Sequence, residues 1–220
     1  MVRIITSLLP MNETKSVVWF RQDLRLRENP ALEFAATLGK VLPVYIFDQE
    51  HAGDWQLGKA SRWWLHHSLT SLDKSLSGSL RKFYGDPFKI LAKLVADENI
   101  DNVFWNRCYE PWIVSRDKKI KSEIQKLGLN VKSFNGSLLY EPWEVLKSDG
   151  TPYKVFTPYY RQTLNKGNPK KLNSDYLANL NLISNSKPSG TLDSLNLLNE
   201  DKWSEEMILK WTPGEDGAKN

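Results

Sequence analysis

The sequence contains one cysteine, Cys108, in 220 residues, so no disulfide can form within the chain. A single free thiol is typical of proteins in a reducing compartment, and we expect a cytoplasmic protein. No run approaches the about 18 apolar residues of a membrane-spanning helix, so no membrane partner is expected. Residues 1–10 hold a very short apolar run without a small-residue cleavage site, unlike a signal peptide. Either Met1 or Met11 can therefore be the start.

The common signatures of cofactor and metal sites are also missing. No Gly-x-Gly-x-x-Gly follows the first predicted strand and there is no Walker loop, which removes the main support for dinucleotide and P-loop binding. The adjacent His66 and His67 would point roughly 100° apart on a helix, so they cannot readily share a metal. Ser61 and Cys108 have no evident base beside them. We predict no metal ligand and no catalytic residue in this chain.

The sequence has no long run of basic or of acidic residues. The formal net charge is +4, from 30 basic and 26 acidic residues that are interspersed. This balance permits a nucleic-acid partner without indicating one. Basic residues are locally enriched near the start of the last quarter, where a solvated charged segment is favoured over a DNA contact. They are Lys154, Arg161, Lys166, Lys170 and Lys171.

The most informative stretch is residues 17–30. Val17–Phe20 is an unbroken apolar run, which is typical of a strand buried on both faces. Arg21, Asp23 and Arg25 follow it, and Asn29-Pro30 then predicts the start of a helix. The fixed charges thus follow a strand at its carboxyl end, the edge where open α/β sheets bind ligands.

The same alternation continues for four more strands. Strands are predicted at 17–20, 41–47, 80–84, 103–106 and 131–134, with helices at 30–38, 61–76, 87–98 and 111–127. Strands alternating with helices indicate an α/β fold whose parallel sheet has right-handed crossovers. We predict a five-stranded, doubly wound, Rossmann-like sheet of order 3-2-1-4-5, flanked by helices and followed by an extended linker.

This strand order predicts a ligand site. Strands one and four become neighbours at the switch point, so the bend 21–25 should face the bend 106–110. The arginines can bind an anionic or heteroaromatic ligand, or Asp23 can pair with one of them and fix the loop. The predicted cofactor-binding residues are Arg21, Asp23, Asp48, Asn106, Arg107 and Glu110.

The pattern changes in the last quarter of the chain. From Asn165 onward asparagine, serine and lysine are dense, and such a stretch is expected to bury little surface. A short amphipathic segment follows, with Trp203, Ile208 and Trp211. We find no internal repeat.

Six motifs, in this order and spacing, resemble the amino-terminal part of the DNA photolyase/cryptochrome family over about residues 17–215. The likeness is greater to microbial class I cyclobutane pyrimidine dimer photolyases than to plant or animal cryptochromes. The motifs are WFRQDLRL at 19–26, ASRWWL at 60–65, WNRCYEP at 105–111, SFNG at 133–136, YKVFTP at 153–158 and W-x-PGE at 211–215.

The resemblance implies two regions. Residues 16–165 would form the α/β antenna domain, and 166–220 the interdomain linker with the start of an FAD-binding helical domain missing from this sequence. In the family, light-driven repair of pyrimidine dimers is a carbon–carbon lyase reaction carried out with FAD, so this chain should not repair DNA alone. The expected partners are the helical domain, in cis or as a split partner, and damaged DNA through the complete enzyme. We expect a monomer.

The resemblance also implies an antenna pigment: a deazaflavin, a flavin or a reduced folate. After Glu110 the chain reads Trp112-Ile113-Val114, without the asparagine and glutamate expected of folate binders, which leaves a deazaflavin or flavin more open. Two alternatives remain. One is a light-sensing or partner-docking module that uses Trp143, Trp203 and Trp211 as exposed anchors. The other is a generic flavodoxin-like flavin or nucleotide binder.

Overall fold

The computed structural model describes residues 14–169, 171–184, 190–198 and 204–219, and its centre is a five-stranded parallel sheet. The strands lie in the order β3-β2-β1-β4-β5, as predicted. In β1–β4 pairing, Trp19 lies opposite Trp105, which places the ends of these two strands side by side. The strands are β1 Thr14–Phe20, β2 Gly39–Phe47, β3 Arg81–Tyr84, β4 Asn102–Asn106 and β5 Asn130–Phe134.

Four helices connect these strands, and two more α-helices follow the sheet within the described residues. The connecting helices match the predicted ones to within two residues at either end, because their termini carry clear sequence signals. Asn29 caps the first helix by accepting a hydrogen bond from the Leu32 amide, and Asp86 caps the third through the Phe88 amide. The helices are α1 Pro30–Leu38, α2 Lys59–Ser75, α3 Pro87–Glu98, α4 Pro111–Lys126, α5 Phe156–Lys166 and α6 Glu205–Lys210.

The sheet separates two apolar clusters, one on each face. Val18 and Phe20 pack with residues of α1 and α2, such as Leu69, whereas Val17 and Trp19 pack with residues of α3 and α4. Because successive strand side chains point to opposite faces, the apolar part of β1, Val17–Phe20, fills both clusters. Residues at the carboxyl ends of the strands therefore border both layers.

The segment after residue 165 buries more apolar surface than its polar composition predicts. The expectation that it would bury little surface is therefore corrected. Leu195 and Leu197 are buried in the cluster beside α1 and α2. Val41 also exchanges backbone hydrogen bonds of 2.8 Å with Asn181 and Ile183. β3 pairs with β2 only from Val44 onward, so the first half of β2 has a free edge that this segment covers.

Two sequence-based expectations fall on residues outside this description, namely those for Lys170 and Trp203. Among the described residues, no helix combines the length and the apolar character needed to cross a bilayer.

Candidate ligand cavity

The bends after β1 and β4 meet, as the strand order predicts. A terminal guanidinium nitrogen of Arg21 donates to the Asn106 carbonyl oxygen, and Asn106 Nδ2 donates to Asp23 Oδ2 at 2.5 Å. Asp23 Oδ1 in turn accepts from the Arg21 amide at 2.9 Å. The two polar strand exits therefore form one buried hydrogen-bonded unit at the switch point of the sheet.

Asn106 is the centre of that unit. Its Nδ2 also donates to Asn29 Oδ1 at 2.7 Å, and its Oδ1 accepts from the Ala31 amide at 3.1 Å. The backbone at Gly136 passes directly over it, since a Cβ there would lie 2.6 Å from Asn106 Cγ. The asparagine amide thus joins β4, the loop after β1 and the first turn of α1.

A cavity of about 520 Å³ opens beside this unit, at the carboxyl ends of β1 and β2 and next to the loop after β4. Its volume lies within the range of roughly 300–1,000 Å³ that small-molecule and cofactor sites occupy. Large aromatic side chains dominate its wall. They are Trp19, Tyr45, Phe47, Trp55, Trp64 and Trp112.

Charged side chains in and behind the wall compensate one another. Asp48 accepts from Arg116 at 2.9 Å, Arg116 donates to Asp117 at 2.8 Å, and Asp117 pairs with Arg21. Each of these side chains is at most 11% exposed. Two buried cations balance two buried anions, so the group favours an uncharged ligand over a phosphate or carboxylate.

The indole of Trp19 is fixed by the same arginines. The guanidinium carbons of Arg21 and Arg116 lie 5.0 and 5.1 Å from its ring centre. Trp105 packs edge-on against Trp19 at 5.8 Å between ring centres. Cation–π and edge-to-face contacts hold an aromatic ring in one orientation, so Trp19 presents a rigid surface to the cavity.

Three residues of the wall carry buried donors without a hydrogen-bond partner in the described part of the chain. These donors are Trp19 Nε1, Arg21 Nε and Gln49 Nε2. A buried donor without a partner costs about 1–3 kcal/mol, and all three donors belong to side chains that line the cavity. Aromatic walls, compensated charge and unpaired donors together fit a neutral heteroaromatic ring that carries carbonyl oxygens.

Two ionisable groups of the wall are kept neutral. Burial raises the pKa of Tyr45 well above its usual range, against the opposing effect of Arg116. Burial also raises the pKa of Cys108 to about 11, with Arg21 acting in the opposite direction. Both groups keep their protons at neutral pH, and neither adds an anion to the cavity.

The raised pKa of Cys108 predicts slow alkylation. Against an ordinary thiol pKa of 9.0, a value of about 11 lowers the thiolate fraction about hundredfold at pH 7.5. Iodoacetamide should modify the folded protein at least that much more slowly than the denatured protein, with the rate rising as the pH approaches 11. The decay of free thiol measured by mass spectrometry tests this, and equal rates for folded and denatured protein would contradict the burial.

Of the six residues predicted from the sequence, Arg21 and Asp48 line the cavity. Asp23 and Asn106 lie behind it, in the hydrogen-bonded unit at the switch point. Asp23 accepts from the side-chain amides of Asn29 and Asn106 and from the backbone amide of Arg21. It thus fixes the loop through amide donors, and the described contacts include no ion pair between Asp23 and an arginine side chain.

Arg107 and Glu110 are not among the residues that line the cavity. Arg107 forms a two-point ion pair with Glu141, with N–O distances of 2.6 and 2.8 Å. Glu110 accepts from Gln22 at 2.6 Å and precedes α4 without capping it through its side chain. Contact of these six residues with a cofactor stays a prediction.

The polar residues of the wall that the sequence-based prediction missed include Gln49, Arg116 and Glu215. Gln49 follows the carboxyl end of β2, so the rule that identified Asp48 could have found it. Glu215 belongs to one of the six motifs, but nothing in the sequence connects it to the cavity. Arg116 has no such signal, because a charged residue on a helix is usually solvated.

The doubly wound parallel sheet, with a cavity at the carboxyl ends of its strands, defines a Rossmann-like α/β domain. The sequence profile of the DNA photolyase family matches residues 16–175. This chain therefore belongs to the DNA photolyase family.

Similar proteins include both photolyases and cryptochromes. A deoxyribodipyrimidine photo-lyase of Agrobacterium fabrum is 40% identical over 207 residues, which are 92% of this chain and 42% of that protein. Cryptochrome-1 of Arabidopsis thaliana is 34% identical over 90% of this chain and 30% of its own length. The crystal structure of a bacterial class III photolyase from Agrobacterium tumefaciens has a TM-score of 0.86 and 35% identity, over 97% of this chain and 45% of that one. The chain thus spans less than half the length of these relatives.

Proposed function

We propose that this chain is the part of a DNA photolyase that holds a light-harvesting pigment. The observation that carries the proposal is the cavity beside the switch point, whose aromatic wall includes three unpaired donors and compensated charges. When bound, such a pigment absorbs near-ultraviolet or blue light and transfers the excitation to FAD. The residues of this chain bind it, orient its ring and exclude water.

A deazaflavin or flavin fits this wall better than a reduced folate does. The pyrimidine edge of a flavin-type ring carries carbonyl oxygens, and the wall residues Trp19, Arg21 and Gln49 each have a buried donor without an acceptor in the described part of the chain. The glutamate carboxylates of a folate need cations, but Arg21 and Arg116 already pair with Asp117. The ring is therefore expected to be recognised by its shape and by hydrogen bonds to its carbonyl oxygens.

The remaining roles of the protein are part of the same proposal. We propose that residues 16–165 act as the antenna domain and that 166–220 lead to an FAD-binding helical domain. Repair of pyrimidine dimers in damaged DNA would then require both domains. We also propose a monomer, a cytoplasmic location and membership of the class I photolyases, although a class III photolyase is among the similar structures.

Pigment titration of the purified chain tests this proposal. We expect a deazaflavin, riboflavin and FMN to bind with a shifted absorption band and quenched tryptophan fluorescence, and a reduced folate to bind at least about tenfold more weakly. FMN and riboflavin should bind alike, because Arg21 and Arg116 already pair with carboxylates and Arg25 already donates to the carbonyl oxygens of Glu28 and Gly136. Ala52→Phe fills the cavity from its buried wall and should abolish binding, whereas Ala96→Phe on the exposed face of α3 should leave it unchanged.

Each alternative function predicts a different result. A mononucleotide binder of the flavodoxin type would bind FMN far more tightly than riboflavin, because it contacts the phosphate group that riboflavin lacks. A partner-docking module would bind none of these pigments. Its exposed anchors would include Trp143 and Trp211, which are 57% and 59% exposed. Absence of binding by every pigment would refute the antenna proposal.

A further inference from the structure

One part of the cavity wall comes from the far end of the chain. Gly214, Glu215 and Ala218 line the cavity, although the other lining residues lie between positions 19 and 116. We call residues 211–219 the C-terminal clasp. Its contacts with the rest of the domain are specific, and they connect it to two different elements of the wall.

The first contact joins the clasp to the loop after β1. Glu215 Oε2 accepts from the Leu26 amide at 2.8 Å, and its Oε1 accepts from the Arg27 amide at 3.1 Å. The same loop contributes Arg21, Gln22, Leu24 and Arg25 to the cavity. Hydrogen bonds from amides to an ionised carboxylate are stronger than neutral ones, so Glu215 fixes this loop at two adjacent positions.

The second contact joins the clasp to α2. Gly214 has φ +104° and lies so close to α2 that a Cβ there would be 2.5 Å from Ser71 Oγ. Trp211 packs edge-on against Trp64 of the cavity wall, with 6.2 Å between ring centres. Glycine is required both by the backbone conformation and by the close approach. The clasp therefore bridges the loop after β1 and helix α2 on one side of the cavity.

We propose that Glu215 is a positioning residue that closes the cavity wall and thereby governs access to the cavity and retention of its ligand. The retention part rests on the proposed function. Glu215 acts through the backbone of Leu26 and Arg27, which holds the loop carrying Arg21 against the cavity. Loss of its carboxylate should loosen this wall while the central sheet and its two apolar clusters stay intact.

The full chain with Glu215→Gln or Glu215→Ala tests this proposal, and Asp216→Asn is the matched control. Asp216 is the neighbouring carboxylate, is 79% exposed and pairs in the described contacts only with Lys219, three residues further on, which also lies 3.9 Å from Glu215. In the alanine variant, hydrogen exchange at the Leu26 and Arg27 amides should accelerate about tenfold or more. Glutamine keeps one acceptor, so its effect should be intermediate. The midpoint of chemical unfolding should stay close to that of the control.

Access to the cavity has its own reporter, because Cys108 is the only cysteine and lines the same wall. Its reaction with the neutral reagent 4,4′-dithiodipyridine should be about tenfold faster in Glu215→Ala and unchanged in Asp216→Asn. The dissociation rate of bound riboflavin should rise by a similar factor. A merely structural role would lower the unfolding midpoint without changing thiol access in the folded state.

The outcomes separate this proposal from the antenna proposal. If exchange and thiol access in Glu215→Ala match those of Asp216→Asn, the closing role of Glu215 is refuted. If the unchanged protein binds no pigment but exchange and thiol access respond, the closing role stands and the antenna proposal fails. Faster riboflavin dissociation together with faster thiol reaction supports both.

Discussion

Replacing Asp117 by asparagine should lower the free energy of unfolding by about 3–5 kcal/mol, the range measured when one partner of a buried ion pair is removed. Asp117 accepts hydrogen bonds from both Arg21 and Arg116, and the two guanidinium groups are only 6% and 8% exposed. Asparagine offers one acceptor and places an NH₂ group against a cation. Arg116 keeps its 2.9 Å contact with Asp48, whereas Arg21 keeps only neutral acceptors. Denaturant unfolding with a fixed m-value measures the loss.

Glu123→Gln is the matched control for this variant, because it changes a carboxylate to an amide on the same helix. Glu123 pairs with Lys126 at 2.6 Å, and these side chains are 45% and 67% exposed. Exposed pairs three or four residues apart contribute about 0.3–0.5 kcal/mol, so this variant should unfold almost like the unchanged protein. A loss in Asp117→Asn no larger than in Glu123→Gln would show that the buried charges do not depend on each other.

The fold could be predicted because its signals are local. Val17–Phe20 contains no polar residue, so only a strand covered on both faces suits it. Asn29-Pro30 and Asp86-Pro87 start helices directly after a loop, and the observed caps use those same side chains. Strands separated by single helices then leave few right-handed parallel topologies, and the order 3-2-1-4-5 is one of them.

The site could be predicted only in part, because several of its contacts depend on how elements that are far apart in the sequence pack together. The meeting of Asp23 with Asn106 follows from strand order alone, since β1 and β4 are neighbours. Arg116 and Asp117 sit on a helix, where a charged pair usually faces water. Their burial depends on the angle at which α4 packs toward Asp48 at the end of β2, a contact 68 residues away in sequence.

The contacts of the C-terminal clasp and of the segment after residue 165 were even harder to predict from the sequence. Glu215 contacts the Leu26 amide across 189 positions, and no pattern near either residue indicates it. The segment after Asn165 was expected to bury little because it is polar on average. Leu195 and Leu197 are nevertheless buried in the apolar cluster beside α1 and α2. The average composition of a segment does not indicate which of its few apolar residues pack against the sheet.

Replacing Asn106 by leucine should lower the free energy of unfolding by about 3–5 kcal/mol, although leucine has the same number of side-chain heavy atoms and the same branching. The change leaves the Ala31 amide, Asn29 Oδ1 and Asp23 Oδ2 without the partner that joins them. Each buried group left unsatisfied costs about 1–3 kcal/mol, and Asn29 retains part of its bonding through the Leu32 amide. Hydrogen exchange should accelerate most at Ala31, because its amide loses the only acceptor described for it.

Asn102→Leu separates this role of Asn106 from the general cost of placing leucine in β4. Asn102 is buried in the same strand, but its side chain bonds only to Ser16 at 3.2 Å and to Asn130 at 3.0 Å in the described contacts. We expect a loss of about 1–2 kcal/mol without faster exchange at Ala31. Since Asn106 joins the loop that carries Arg21 to α1, its replacement should also weaken riboflavin binding, whereas Asn102→Leu should not. Equal effects of the two variants on Ala31 exchange would mean that the loop after β1 is held by its own packing, and that Asn106 contributes only to the strand.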